Sequence, residues 1–122
     1  MTFHPEVRKF LQLHRDSLHA VLPTIARNNG ETSKHYRDAK TEHDALVEAI
    51  KLGKLNATAR GKIESEVRFL KSTQNIREGE LRDSYKLQLE GMTESEVRAF
   101  KKDVIAGLAQ RLNIFKQAIG EY

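Results

Sequence analysis

Four glycines, Gly30, Gly53, Gly91 and Gly120, fall where a long apolar pattern stops. Glycine enters the left-handed region that closes a helix without a Cβ penalty, so this punctuation marks helix ends. Between the glycines, apolar side chains recur every three or four residues, the period of an amphipathic helix. The chain is therefore expected to be all-α: a four-helix bundle, or helical hairpins with a long third helix, packed in a coiled-coil-like manner.

The spacing predicts helices over residues 5–28, 32–52, 58–90 and 94–119, within one domain covering residues 1–122. In the first, Pro5 suits the opening turn, where its missing N–H would be unpaired anyway. Val7, Phe10, Leu11, Leu18, Val21, Leu22 and Ile25 form its stripe. Pro23 lies inside that stripe and predicts a kink or an early end. The second helix turns Tyr36, Ala39, Leu46, Val47 and Ile50 inward. The third carries Ile63, Val67, Leu70, Leu81 and Tyr85, with Gln74 at a seam position in the middle. Unbroken, it would span about 33 residues, roughly 50 Å. Its polar stretch from Ser72 to Glu80, which contains Gly79, is where a break would fall. The fourth opens on Thr93-Glu94-Ser95-Glu96, a capping box in which threonine and glutamate satisfy each other's free amides. From Val97 through Phe100, Val104, Ile105, Leu108, Leu112 and Phe115 to Ile119 it shows one apolar face. Glu64–Arg68, Glu78–Arg82 and Glu94–Arg98 are spaced as i,i+4 ion pairs. Glu-Val-Arg recurs at Glu6, Glu66 and Glu96, but the likeness stops within a few residues, so it reads as amphipathic surface and not as a repeat.

Composition narrows the classes. Hydrophobic residues make up 39% of the 122 and charged residues 31%, with both signs interleaved. That suits helices with exposed charged faces. There is no cysteine, which excludes disulfides and thiolate zinc sites. The longest apolar run, Val104 to Ala109, is far short of the roughly 20 residues needed to span a bilayer. The first residues show no basic-then-apolar leader, so a soluble cytoplasmic protein is expected.

The net charge is +4, and its excess is concentrated. Lys51, Lys54, Arg60 and Lys62 occur with no acid among them, around the joint between the second and third helices. Arg98, Lys102 and Lys116 fall on one flank of the fourth helix at 100° per residue. Such ridges can track phosphates. The chain lacks a helix-turn-helix signature and has few aromatics among these cations to stack on bases.

His14 and His43 lie within the stripes of the first two helices, and a hairpin folded about Asn29 would bring them level. Glu66 would join them from the third helix, a conceivable metal cluster in a bundle core. The Glu-x-x-His signature of di-metal bundles is absent, so the expected role of both histidines is packing, with no metal. His14-Arg15-Asp16 lacks the asparagine and glycine-rich loop of a kinase, Gly61-Lys62 lacks the context of a phosphate loop, and Asn56-Ala57-Thr58 is a turn. No serine, threonine or lysine has a partner set for nucleophilic catalysis.

The expected function is thus a non-enzymatic protein-interaction or assembly module, without catalytic residues or cofactor, that associates with itself. A long third helix would need a partner along its length, and Gln74, Leu81 and Tyr85 are its expected interface. The runner-up is a nucleic-acid-binding accessory protein using Lys51, Lys54, Arg60, Lys62, Arg98, Lys102 and Lys116. A metal-binding bundle is third.

Overall fold

The computed structural model describes residues 3–73 and 78–120 of the chain. They form six helices: α1 (Pro5–Asn29), α2 (Lys34–Leu52), α3 (Ala57–Thr73), α4 (Glu78–Ser84), α5 (Lys86–Leu89) and α6 (Glu94–Ala118). No strand occurs among the described residues, so the protein is all-α.

Local chemistry sets the helix ends. His4 caps α1, its Nδ1 accepting from the Glu6 amide at 3.1 Å, and Pro5 takes the first helical position. Ser33 caps α2: its hydroxyl accepts from the Tyr36 amide at 3.2 Å and donates to the Gly30 carbonyl at 2.7 Å. Thr93 opens α6 as expected, accepting from the Glu96 amide at 3.3 Å. All four punctuating glycines have positive φ. At Gly53 the backbone is fully left-handed, φ 66° and ψ 25°, and its N–H reaches the Ala49 carbonyl at 2.9 Å. A side chain there would cost about 1 kcal/mol or more.

Pro23 does not end its helix; α1 continues unbroken to Asn29. The proline is on the exposed face. The carbonyl that loses its amide partner belongs to exposed His19, where water can replace the missing bond.

The core lies where two hairpins meet. Val7, Phe10 and Leu11 of α1 and Leu46, Ala49 and Ile50 of α2 face Ala59, Ile63, Val67 and Leu70 of α3. Leu112, Phe115 and Ile119 close it from the C-terminal end of the chain. Fully burying each Leu, Ile or Phe contributes about 1.5–3 kcal/mol. α3 and α6 run antiparallel, since Arg60 reaches the Ile119 carbonyl at 3.3 Å while Glu66 pairs with Arg111 at 3.6 Å. A second, smaller cluster joins Leu81, Leu89 and Val97, with Tyr85, Met92, Phe100 and Val104 packed around them. One long helix, α6, therefore serves both clusters.

The expected single helix over 58–90 is not continuous to its end: Tyr85 (φ −120°, ψ 33°) separates α4 from α5. The physical reason at Tyr85 is the ring, which leaves helical register to pack edge-on against Phe100 at 5.2 Å. Whether helix continues through residues 74–77, and where Gln74 points, lies outside the described residues. Of the expected i,i+4 pairs, Glu94–Arg98 is present at 3.8 Å. Glu64 turns instead to Arg60 at 3.8 Å, and Arg68 donates to the Ser65 hydroxyl.

The α1–α2 hairpin is longer than the core it serves. In its distal half, beyond Leu18 on α1 and before Leu46 on α2, Leu22 is the one buried side chain. That half is a two-helix arm. No helix among the described residues is long and apolar enough to cross a membrane.

Candidate functional site

The joint between α2 and α3 is built by Gly53 and Asn56. Asn56 caps α3 by accepting from the Ala59 amide at 2.9 Å, and its amide donates back to the Ala45 carbonyl at 2.7 Å. This locks the angle at which the basic residues are displayed. Lys51 and Lys54 are exposed beside the turn. Arg60 is drawn away, to Glu64 and the C-terminal carbonyl of α6. Lys62 pairs with Glu42 across from α2. The four cations that stand together in the sequence therefore do not form one open patch. On α6, Arg98 and Lys102 lie beside the second cluster; Lys116 is about 21 Å farther along the axis at 1.5 Å per residue.

The residues expected to meet a partner are placed differently. Leu81 is 0% exposed, wholly covered within its own chain. Tyr85 is half-buried against Phe100. Both are used to hold α4 and α5 onto α6, so neither is offered as a surface anchor. Among the described residues, the exposed large apolar side chains lie elsewhere: Leu13 (58%), Val21 (45%), Val47, Leu52, Phe69 and Leu87.

The histidines also pair differently from the expectation. His14 does not turn to His43 but stands edge-on to Phe10, ring centres 4.6 Å apart. Burial, and then the nearby Lys62 charge, lower its pKa, against the opposing pull of Glu42 and Glu66. His43 faces His19 instead, ring centres 5.6 Å apart and planes tilted by 30°. The Nδ1 of His43 is 3.0 Å from the Asp44 carboxylate, which Lys40 also approaches at 3.2 Å. Those hydrogen bonds, the one from His43 first, hold the Asp44 carboxyl below its ordinary pKa. Among the described residues no group of three or more histidine, aspartate or glutamate side chains is placed to hold a metal ion.

A second charged assembly has no counterpart in the sequence reading. The Arg111 guanidinium is 4.4 Å from the Phe115 ring centre and 5.9 Å from that of Phe10. It pairs with Glu6 at 3.4 Å and Glu66 at 3.6 Å. The available signal was its spacing: Arg111 lies four residues before Phe115, at a stripe position of α6. Near the α2–α3 joint, a cleft of about 570 Å³ is walled by Phe3, Leu55, Ile114 and Ala118, with Lys54 and His4 on its lining. Among the described residues no acid lines it. Comparison with protein-family models, curated proteins and solved structures finds no match for this chain.

Proposed function

We propose that this protein is a non-enzymatic cytoplasmic assembly module that associates with further copies of itself through the α1–α2 arm. The observation that carries the reading is an exposed apolar flank of α1: in the arm Val21 stands 45% exposed, with half-buried Ile25 one turn beyond it, and nearer the core Leu13 stands 58% exposed. Val21 and Ile25 follow the i, i+4 spacing of one helix face, beside Leu18, which packs against the main core. In the proximal half the equivalent face of α1 belongs to the main core; in the distal half only Leu22 of α1 is buried and Val21 is left exposed. A second copy carries the same stripe and is self-complementary under two-fold symmetry. The distal face is roughly 18 Å long and two helices wide, small for a stable interface, so a weak, concentration-dependent association is expected.

Light scattering over a range of concentrations tests this. The 14.0 kDa chain should show a mass above the monomer that rises with concentration. Leu13→Glu together with Val21→Glu should return it to monomer with helicity intact, because both side chains are already exposed. A wild type that stays monomeric at about 200 micromolar, where even a small transient interface should be populated, contradicts the reading.

A nucleic-acid role through the α2–α3 joint is the second reading, favoured by exposed Lys51 and Lys54. With Arg60 and Lys62 already paired, two phosphate contacts are the expected yield, a log–log salt slope of about −2. Adding a generic duplex at two salt concentrations to the same scattering experiment separates the two readings.

A further inference from the structure

We propose that His19 and His43 form a two-histidine site for a divalent transition metal of the zinc, nickel or copper class, bridging α1 and α2 across the arm. The inference is independent of self-association.

The geometry carries it. The two rings come from different helices and their centres are 5.6 Å apart. A ring nitrogen lies roughly 1.1 Å from its ring centre and a zinc–nitrogen bond is about 2.0–2.1 Å, so two imidazoles sharing one ion at a tetrahedral angle have centres about 5 Å apart. The observed ring-centre spacing is close to that value, so the two rings can share one ion when each is turned to aim a nitrogen at it. Imidazole nitrogen suits zinc, copper and nickel.

The surroundings fit the same chemistry. When the Nδ1–H of His43 donates to Asp44, the lone pair of Nε2 is left to bind an ion. A carboxylate on the far nitrogen is the usual support of a metal-bound histidine, fixing its tautomer and raising its basicity. Lys40 holds that carboxylate in place. The His43 side chain is only 13% exposed, so its ring is already ordered by packing. His19 is exposed, which leaves an open side for the ion to enter and for water to complete its coordination. With two protein ligands instead of four, the site would hold its ion exchangeably.

The test is a set of thermal melts on untagged protein, with EDTA or with zinc chloride, backed by calorimetric titration of zinc. Zinc at about one hundred times its dissociation constant should raise the wild-type Tm by at least about 5 °C. The rise should vanish in His19→Ala, whose exposed side chain can be removed without disturbing the fold, and also in His43→Ala. Asp44→Asn should weaken zinc binding by roughly tenfold or more. His35→Ala, at an exposed position nearer the tip of the arm, should retain the full rise. Circular dichroism in EDTA checks that each variant is folded before zinc is added. No rise and no heat of binding at millimolar zinc would overturn the proposal, as would a rise that survives His19→Ala.

Discussion

Arg111 binds more of the fold together than any other charged side chain described above. It touches α1 through Glu6 and Phe10, α3 through Glu66, and its own helix through Phe115. A planar guanidinium can lie over a ring and still donate sideways to carboxylates, which a lysine ammonium does less well. Arg111→Lys is therefore expected to cost about 1 kcal/mol despite conserving charge. Urea unfolding would measure it, and an unchanged midpoint would contradict the assignment. His14 gives a second residue-level expectation. Its pKa is lowered from 6.5 by burial and by Lys62, so the unfolded chain binds the proton first as pH falls. The neutral ring contributes stability above its unfolded pKa, and that contribution is lost as pH falls below it. His14→Phe keeps the stack on Phe10 and removes the proton. Its Tm should gain on wild type between about pH 7 and pH 5; parallel curves would count against this. Neither role was legible in the sequence. Arg111 and His14 occupy stripe positions, but which ring each one meets depends on how the hairpins stack.

Element boundaries were more legible, because they depend on nearby residues. Gly30, Gly53, Gly91 and Gly120 close their helices, and Thr93 opens α6 where the capping box places it. Tyr85 misled, since its spacing continues the stripe of Leu70 and Leu81 while its ring is claimed by Phe100, a residue on another helix. His43 and His19 were missed for a related reason. Their meeting follows from the hairpin register, which pairs His43 with a residue about one and a half turns beyond His14. Two tests belong at this scale. Gly61 lies inside α3, and a methyl group in place of its hydrogen would meet nothing within 4 Å. Gly61→Ala should therefore stabilise by about 0.5–1 kcal/mol through helix propensity alone. Asn56→Ala should cost about 1–2 kcal/mol, since it removes both a cap and the tie to α2. Chemical denaturation reads both. A loss at Gly61 would mean that the α3 surface there is covered by something besides water.

At the scale of the whole molecule, the chain divides its apolar surface unequally. Two clusters of buried side chains lie along α6, while the distal arm buries only Leu22. The expectation of self-association rested on a long third helix with an unpartnered end. The described helices place Leu81 and Tyr85 inside the second cluster, and the exposed apolar residues through which assembly is proposed are on α1. That shift was not legible in the sequence, because Val21 and Leu81 carry equally good stripe spacing and differ only in what the rest of the chain brings over them. Hydrogen exchange at two protein concentrations tests the claim most directly. Amides of the distal arm, residues 18–28 and 34–42, should exchange more slowly at high concentration, and those of α3 and the second half of α6 should not change. Equal exchange in the arm at both concentrations would contradict assembly through this surface.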